Sequence, residues 1–477
     1  MLIRYFYDTG LSQASYLVGC QATGEALVVD PNRDVEQYID AARAEGLRLT
    51  HVTETHIHAD FVSGVPELVE RTGARAFLSD EGGADWSYGF ADGIDARMLG
   101  DGAEFMVGNI RLQARHTPGH TPEHISFMVT DTAGADAPMG VFTGDFIFVG
   151  DVGRPDLLER AAGIGGTMEQ GARQLFRSLQ QFRELPDWLQ LWPGHGAGSA
   201  CGKALGAVPS TTLGYEKRFN WAFGITDEDE FVAAVLAGQP EPPAYFATMK
   251  RINRDGPRVL GGLPQPDRLP DESLRRLLDD DATVIDLRRW SVFRKGFVPG
   301  TLSIPLNRSF ATWAGSLVPY DGDVALITDG DAAAALDTAR DAAREMALIG
   351  LDRVTGYFET SALSAAGGLA EIDDIEPADA RVMVDAGEAA MLDVRRTDEW
   401  DDAHVPGVPN VSLGTLPRRL DEVPADRPLI VHCKSGSRSA IAASMLAARG
   451  QTVYNLAGGI DRWRADGQPV ETSADGP

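Results

Sequence analysis

Histidine and aspartate at alternating positions mark the first stretch of the chain that could do chemistry. Residues 55–61 read Thr-His-Ile-His-Ala-Asp-Phe and place His56, His58 and Asp60 two apart. On an extended segment, residues two apart point to the same side, so both imidazoles can face one cavity. Imidazole and carboxylate groups are ordinary ligands of transition metals. The segment predicts a metal centre, but it ends at Phe61, whose phenyl ring cannot coordinate a cation.

Three further segments supply ligands of the same kind. His120 lies in HTPGHTPEH, where proline and glycine impose a tight turn; Asp145 follows VFTG, and His195 follows LQLWPG. Each of these segments reads as the end of a strand. Strand ends that each deliver a histidine or an aspartate are hard to explain by packing, which strengthens the prediction of a metal centre.

A cysteine ends an apolar strand near the C-terminus. The run LIVH leads to Cys433, and an alanine-rich helix follows the loop. Converging backbone N–H groups and the positive pole of a helix favour a thiolate, which is the nucleophilic form. Arg438 adds a cation, and the Cys-x4-Arg spacing makes a small loop around the sulfur. The loop residues expected to surround the thiol are Lys434, Ser435, Gly436 and Ser437.

The elements that must position these groups fall into three parts. Short apolar runs alternate with helix-like runs over the first 250 residues, which predicts a layered α/β fold. A Gly/Pro-rich stretch at 256–270 reads as a linker. IDLRR at 285–289 returns as LDVRR at 392–396, an internal repeat with an offset of 107 residues. We predict domains at 1–255, 256–371 and 372–477.

The middle copy of the repeat lacks the cysteine. Its strand VALIT leads into Asp329, which stands where Cys433 stands in the last copy, and the loop arginine is absent too. We expect a degenerate domain that is structural or serves in docking. A cation bound by Asp329 and Asp331 is the alternative.

These motifs resemble known families. Residues 1–255 resemble the glyoxalase II-like branch of the metallo-β-lactamase superfamily, and among its members the persulfide dioxygenases more closely. Residues 372–470 resemble rhodanese sulfurtransferases through LDVR, AHVPGV, CKSGSRS and NLAGGIDRW. The resemblance implies an α/β protein with an αββα metallo-β-lactamase fold followed by two rhodanese-like α/β domains, and a persulfide carried on Cys433.

The resemblance also implies a ligand set. One iron(II) per chain would be bound by His56, His120 and Asp145, which leaves three positions of an octahedral ion open for substrate and O2. Zinc or manganese would also suit these donors. Phe61 replaces the last histidine of the family's His-x-His-x-Asp-His signature, which weakens a second metal. The residues then expected to orient ligands and water are His58, Asp60 and His195.

Several residues are expected to contact substrate or carry sulfur. Arg154, in a Gly-Arg-x-Asp element typical of the family, could grip a substrate carboxylate or a sulfur oxyanion; a salt bridge to Asp156 is the alternative. Cys201, six residues after His195, is either a sulfur-handling group or a small buried hydrophobe. The expected contacts with a thiol carrier are Tyr215, Lys217 and Arg218.

Composition limits the partners. A net charge of −27 argues against nucleic acid or an anionic membrane as a partner. Three widely spaced cysteines form no disulfide framework, and the N-terminus shows no secretory signal, so we expect a cytoplasmic protein. No apolar run is long enough to span a bilayer. We also expect a homo-oligomer.

The resemblance implies a coupled reaction. A low-molecular-weight persulfide, of glutathione or coenzyme A type, would be oxidised with O2 to sulfite, and Cys433 would transfer sulfane sulfur to give thiosulfate, or run in reverse. The setting would be sulfide detoxification. Two alternatives stay open: a zinc thioester hydrolase of glyoxalase II type fused to a rhodanese, and a sulfur-carrier or sensor protein.

Overall fold

The computed structural model describes residues 1–157, 159 and 166–472. The chain divides into two compact units, the first formed by Met1–Leu263 with Ala347–Gly350 and the second by Pro264–Met346 with the residues from Leu351 onward. The division after residue 263 falls inside the predicted linker at 256–270.

The described residues of the first unit contain two six-stranded sheets. The strands of the first sheet lie in the order β1 to β6. The pairs β1–β2 and β2–β3 are antiparallel, and the pairs from β3–β4 to β5–β6 are parallel. Its strands are Leu2–Asp8, Gln13–Cys20, Glu25–Val29, Arg48–Thr53, Arg75–Ser79 and Ala96–Leu99. The second sheet has the order β12-β11-β10-β9-β8-β7. Its strands β7 to β12 are Glu104–Val107, Ile110–His116, Ile125–Asp131, Gly140–Gly144, Gln190–Pro193 and Thr211–Thr212.

The helices lie between and after the strands along the chain. In the first unit they are Glu36–Ala44, Val65–Thr72, Thr167–Arg183, Leu213–Phe219, Trp221–Gly224, Glu228–Leu236 and Phe246–Asp255, with 3-10 turns at Ala84–Trp86 and Ala91–Gly93. After residue 263 they are Ser273–Asp279, Trp290–Phe293, Phe310–Leu317, Ala332–Leu348, Ser361–Ala366, Pro377–Asp385, Thr397–Asp402, Ser437–Ala447 and Gly459–Ala465, with 3-10 turns at Leu416–Arg418 and Leu420–Glu422.

The two sheets of the first unit pack face to face. Tyr16 and Leu27 from the first sheet share one buried cluster with Phe127 and Phe142 from the second. On the outer face of the first sheet, Tyr38 and its neighbours in helices Glu36–Ala44 and Val65–Thr72 form a second cluster. Helices Thr167–Arg183 and Glu228–Leu236 cover the outer face of the second sheet. The layers are therefore helix, sheet, sheet, helix, as expected.

Strand ends bring the predicted ligands together. β10 and β11 run parallel, and Gly144 pairs with Pro193, so Asp145 and His195, which follow, lie at the same edge. Gly194 lies so close to this edge that an added Cβ would sit 2.7 Å from Asp145 Oδ1. A residue with a side chain would collide with the carboxylate, which explains the glycine at this position.

The second unit contains two four-stranded parallel sheets among the described residues, with the orders β14-β13-β15-β16 and β17-β21-β20-β18. The strands β13 to β16 are Thr283–Asp286, Leu302–Ser303, Val324–Ile327 and Val354–Phe358. The strands β17, β18, β20 and β21 are Asp373–Ile375, Ala390–Asp393, Leu429–His432 and Val453–Leu456. Two short strands, β19 (Ala403–His404) and β22 (Glu471–Thr472), form a separate pair. The expected boundary at residue 371 falls between the two larger sheets.

The two copies of the internal repeat make the same local contact in the structure. The strands that carry its two copies, β13 and β18, each end in a buried aspartate that binds the arginine two residues later. In the last copy, Arg395 Nη2 lies 2.6 Å from Asp393 Oδ2 and also donates to the Ala403 carbonyl oxygen at 2.7 Å. Asp286 and Arg288 make the same pair in the middle copy, with Gly296 as the carbonyl partner. The repeated Asp-x-Arg motif therefore fixes the turn after each strand.

Within the part of the chain that the structure describes, no helix has both the length and the apolar character needed to cross a membrane.

The buried pair of Asp393 and Arg395 predicts that substitutions at Arg395 and at its neighbour Arg396 change the free energy of unfolding by very different amounts. Arg395→Ala should destabilise the second unit by about 3–5 kcal/mol, because it leaves the buried Asp393 carboxylate without its counter-ion. Arg396→Ala removes an exposed pair with Asp398 and should cost at most about 1 kcal/mol. Native-state hydrogen exchange at Leu429–His432 measures both. Equal losses in the two variants would contradict this account.

Candidate metal centre and thiol loop

Three buried side chains converge at the sheet edge of the first unit. His56, His120 and Asp145 each offer one ligand atom, and these atoms lie within 4.8 Å of one another. The Nε2 atoms of His120 and His56 lie 3.4 Å and 3.9 Å from Asp145 Oδ2. All three side chains are buried. The structure thus brings together the three residues that the resemblance assigned to the metal.

Both imidazoles turn Nε2 toward the carboxylate because Nδ1 is already engaged. His120 Nδ1 donates to the carbonyl oxygen of Arg154 at 2.9 Å. His56 Nδ1 lies 2.9 Å from Thr55 Oγ1. An imidazole that donates from Nδ1 keeps a lone pair on Nε2, the form that binds a metal.

The Asp145 carboxylate needs a cation. It is fully buried, and neither oxygen accepts a hydrogen bond from the residues that the structure describes. Burial raises the pKa of Asp145, but the neighbouring His195 and His120 lower it more strongly, so the net shift is downward. Burial also lowers the pKa of His120, and that of His56 lies well below its usual value. An ionised carboxylate beside neutral imidazoles is the form that binds a divalent metal, so these residues fit one.

A second group of donors lies beside the first. Asp60, His195 and Cys201 are buried, and their ligand atoms also lie within 4.8 Å of one another. His195 Nε2 lies 3.3 Å from Asp60 Oδ2 and 3.5 Å from Asp145 Oδ2. Burial and then the carboxylates of Asp145 and Asp60 raise the pKa of the Cys201 thiol well above its usual value. Cys201 is therefore part of the metal centre's surroundings, which the sequence left open.

His58 is held by a residue that sequence reasoning missed. Its Nε2 lies 3.3 Å from Asp30 Oδ1, and the same carboxylate accepts from the Thr55 amide at 2.6 Å. Burial lowers the pKa of His58, but the hydrogen bond to Asp30 and its charge raise the pKa to about 9. The Phe61 ring packs against the other side, with ring centroids 4.3 Å apart. Asp30 directly follows β3, and only this position after a strand hinted at its role.

Asn253 is a second residue that sequence reasoning missed. It is fully buried in helix Phe246–Asp255, and its Nδ2 donates to the carbonyl oxygens of His58 and Phe61 at 2.8 and 2.7 Å. Its Oδ1 accepts from the Ser63 amide at 2.8 Å. One side chain therefore holds the backbone of residues 58–63, the ligand loop, at three points. It lies about 190 residues away in sequence, so no local signal marked it.

Of the two expectations for Arg154, the structure shows the salt bridge to Asp156. Its guanidinium is fully buried and makes a bidentate pair with Asp156, with both N–O distances at 2.8 Å. The remaining donors bind the carbonyl oxygens of Ala200 and Pro240 at 3.1 and 2.7 Å. Because its polar atoms are committed to the protein, Arg154 holds the loop that carries Cys201 rather than a substrate.

The residues expected to contact a thiol carrier lie on helix Leu213–Phe219. The Leu213 amide donates to the Leu189 carbonyl oxygen at 2.8 Å. Leu189 directly precedes β11, whereas His195 follows it, so the helix begins at the end of β11 that is far from His195. Lys217 Nζ lies 2.7 Å from Asp187 Oδ1, while Tyr215 and Arg218 are exposed. Their role in carrier binding stays a prediction.

The thiol loop of the second unit has the expected geometry. Cys433 follows β20 and is buried, with its sulfur facing the amide of Gly436 at 3.2 Å and Ser439 Oγ at 3.5 Å. Gly436 adopts a φ of 101°, a conformation that favours glycine, and directly precedes helix Ser437–Ala447. Lys434, Ser435 and Ser437 are exposed. Donors that converge on the sulfur stabilise a thiolate.

Arg438 is not a free cation in this loop. Its guanidinium makes a bidentate pair with Glu399, at 2.6 and 2.7 Å. Burial raises the pKa of Glu399, but the hydrogen bonds and charge of Arg438 lower it more strongly, so the net shift of the pKa is downward. Arg438 therefore places its charge beside Glu399, while the Gly436 amide and Ser439 face the sulfur. Its role in sulfur transfer stays a prediction.

The middle copy has Asp329 and no cysteine at the position that corresponds to Cys433. Asp329 is exposed, and Asp331 Oδ1 accepts the amides of Ala333 and Ala334 at 3.1 and 3.0 Å. These bonds cap the start of helix Ala332–Leu348. Capping accounts for Asp331 without a bound cation.

Comparisons with known proteins match both units. The metallo-beta-lactamase superfamily matches residues 8–195, and the rhodanese-like domain matches residues 376–466. A solved structure described as a metallo-beta-lactamase from Staphylococcus aureus is 42% identical with a TM-score of 0.66, and the match covers 75% of this chain and 99% of that one.

Curated relatives match a little over half of the chain. A hydroxyacylglutathione hydrolase of Polaromonas is 31% identical over 54% of this chain and 88% of its own length. A probable metallo-hydrolase of Burkholderia pseudomallei is 28% identical over 56% of this chain and 95% of its own length. The chain belongs to the metallo-β-lactamase superfamily. It is an enzyme of that class with a rhodanese-like domain at its C-terminal end.

The metal centre can be tested with two nearby histidines. His120→Ala should abolish or strongly reduce bound transition metal, because it removes one of three ligands. His116→Ala should leave metal content unchanged, because His116 Nε2 instead lies 2.8 Å from the carbonyl oxygen of Pro122. Elemental analysis of the purified full-length variants measures this. Full metal content in His120→Ala would exclude the predicted ligand set.

Proposed function

We propose that this protein is a persulfide dioxygenase coupled to a sulfurtransferase. A thiol persulfide would react with O2 and water to give the parent thiol, sulfite and two protons. Cys433 thiolate would take the outer sulfur of a second persulfide, which breaks its S–S bond and releases the thiol. Attack of sulfite on the Cys433 persulfide would then give thiosulfate and regenerate the thiolate. Atoms and charge balance in each step.

One observation carries the proposal: a buried two-histidine, one-aspartate group and a cysteine in a sulfur-transfer loop occur on the same chain. When bound there, a single iron(II) would supply neighbouring open positions for a sulfur and for O2. Its protein ligands would be Asp145 and the two imidazoles, and Phe61 offers no donor where a hydrolase has the last ligand of its second metal. The product sulfite is the acceptor that a cysteine persulfide needs.

The chain's own groups prepare this chemistry. The neighbouring histidines lower the pKa of Asp145 despite its burial, and burial lowers the pKa of His120, so both shifts favour the forms that bind a cation. In the second unit, the Gly436 amide and Ser439 Oγ face the Cys433 sulfur and would stabilise the thiolate that leaves at each turnover. We expect glutathione or coenzyme A persulfide as the substrate.

A zinc thioester hydrolase is the second candidate. Relatives named as hydroxyacylglutathione hydrolase favour it, and Asp60 and His195, which could hold a second cation, are retained. In this case the rhodanese-like domain would serve a separate reaction. A sulfur carrier or sensor is a third candidate, in which Cys433 would have no part in small-molecule turnover.

Iron analysis separates oxidation from hydrolysis. Protein purified without oxygen should contain about one iron per chain and consume O2 with glutathione or coenzyme A persulfide, because the three ligands leave room for both reactants. Zinc in place of iron, with thioesterase activity and no persulfide-dependent O2 uptake, would reject the dioxygenase.

The role of Cys433 has a matched control in the middle copy. Cys433→Ser should leave sulfite production intact and stop thiosulfate formation, because only the sulfur acceptor is lost. Asp329→Ala, at the corresponding position of the other loop, should leave both products unchanged. Chromatography of the sulfur anions measures the two products. Unchanged thiosulfate in Cys433→Ser would show that the loop does not take part.

A further inference from the structure

One hydroxyl group near the thiol of the last copy has two possible acceptors. Ser439 Oγ lies 3.5 Å from the Cys433 sulfur and donates to Asn455 Oδ1 at 2.6 Å. Ser439 and Asn455 are buried, with 0% and 3% of their surface exposed. A hydroxyl group carries a single hydrogen, so a full hydrogen bond to one acceptor withdraws that hydrogen from the other. The shorter contact gives the hydrogen to Asn455.

The orientation of the Asn455 amide decides this competition. Asp374 lies opposite Asn455 in the parallel pair of β17 and β21, and its Oδ1 accepts from Asn455 Nδ2 at 2.9 Å. A carboxylate can only accept, so it keeps the NH2 group of Asn455 toward itself and the amide oxygen toward Ser439. If the amide were turned over, its NH2 group would donate to Ser439 Oγ, and the hydroxyl hydrogen would be free for the sulfur.

The middle copy of the repeat holds the Asp374 carboxylate. Trp290 Nε1 donates to Asp374 Oδ1 at 3.0 Å, and Arg294 Nε lies 3.1 Å from Asp374 Oδ2. At the corresponding positions of the repeat, the last copy has Thr397 and Asp401. The indole and the guanidinium that bind Asp374 are therefore particular to the middle copy.

We propose that the middle copy controls the reactivity of the Cys433 thiol through this chain of hydrogen bonds. Asp374 fixes the Asn455 amide, and Asn455 competes with the sulfur for the single hydrogen of Ser439. A thiolate is a stronger acceptor than a neutral sulfur, so the competition opposes the thiolate more than the thiol or the persulfide. Asp374 and Asn455 are positioning residues, because both act through Ser439.

This inference deepens the proposed sulfur transfer and rests on Cys433 as its nucleophile. Cys433 leaves as a thiolate in each turnover, so the direction of the Ser439 hydroxyl acts on that step. Ionisation breaks only the S–H bond of Cys433, and the proton passes to solvent. Removal of the competing acceptor should therefore favour the thiolate.

The charged groups around the thiol loop stay constant in the test. Arg438 is paired with Glu399, and Lys434 is exposed. Burial lowers the pKa of His432, whose Nε2 lies 3.7 Å from Asp393 Oδ2. The Ile460 amide of the adjacent helix donates to the Cys433 carbonyl oxygen, and the charged residues of that helix are Asp461, Arg462 and Arg464.

The test measures how fast iodoacetamide alkylates Cys433 at each pH in the full-length protein, with the Cys433 peptide quantified by mass spectrometry. Only the thiolate reacts, so the pH of half-maximal rate reports its formation. Asn455→Ala removes the competing acceptor without a change of charge. It should lower this pH by about one unit, the effect of one hydrogen bond to a charged acceptor.

Variants of the other members of the chain should follow Asn455→Ala. Asp374→Asn should lower the pH of half-maximal rate by a similar amount, because an asparagine there can accept or donate and lets the Asn455 amide turn over. Trp290→Phe removes the indole donor and should give a smaller shift in the same direction. Asp373→Asn is the matched control, because it makes the same charge change at an exposed neighbour whose side chain points to the other face of the strand. It should cause no shift.

A double variant separates the hydrogen-bond chain from a direct effect of charge. Asp374→Asn with Asn455→Ala should react like Asn455→Ala alone, because Asp374 acts through Asn455. Additive shifts, a shift in Asp373→Asn equal to that in Asp374→Asn, or an unchanged or raised pH in Asn455→Ala would overturn the proposal. An unchanged pH in Trp290→Phe would overturn control by the middle copy.

Two further measurements keep these outcomes distinct. Native-state hydrogen exchange at Leu429–His432 shows whether each variant remains folded. Alkylation requires neither a persulfide nor a metal, so it is independent of the proposed reaction. If the wild-type protein formed no thiosulfate but the variants gave the expected shifts, the proposed function would be rejected and the control of Cys433 would stand.

Discussion

The buried charge of Asp145 is the constraint on which the first unit depends. A carboxylate without a donor is costly to bury, and the cost of an isolated ion in a protein interior reaches several kcal/mol. Here the carboxylate faces His56, His120 and His195, each through Nε2 at 3.9 Å or less. A cation resolves this arrangement, because it compensates the carboxylate and binds the imidazole lone pairs together. The sheet edge is therefore built as a metal site.

Groups outside this centre hold it in place. Asp30 contacts His58, and Asn253 donates to the backbone carbonyl oxygens of His58 and Phe61, so groups that are not metal ligands fix this segment. Arg154 joins the His120 ring to the Cys201 loop through its backbone and its guanidinium. Groups of this kind set the direction of ligand lone pairs, and their loss commonly weakens metal binding. Arg154 is important here as a positioning residue, although the sequence motif suggested a contact with substrate.

In the second unit, the residues that stabilise the fold occur in both copies of the repeat, whereas the cysteine occurs in only one. Both copies of the repeat keep the buried Asp-Arg pair, because it fixes the turn after the strand that carries it. Only the last copy keeps a cysteine in the loop. The copies also touch, since Ser444 in helix Ser437–Ala447 accepts the Ser303 amide of the middle copy at 2.9 Å. The middle copy therefore packs against the helix that follows the thiol loop, and its remaining role is structural at this contact.

The sequence by itself determined what local pattern can determine. Alternating strand-like and helix-like runs predicted the layered α/β fold of the first unit, and donors at strand ends predicted its metal centre, because strand ends and helix starts are local features. Tertiary structure alone decided the partners of those groups. Glu399 pairs with Arg438, and Cys201 lies beside Asp60 and His195. For Arg154, the structure decided between the two alternatives that the sequence left open, in favour of Asp156. These contacts join distant segments or depend on side-chain direction, and packing in three dimensions sets which donor faces which acceptor.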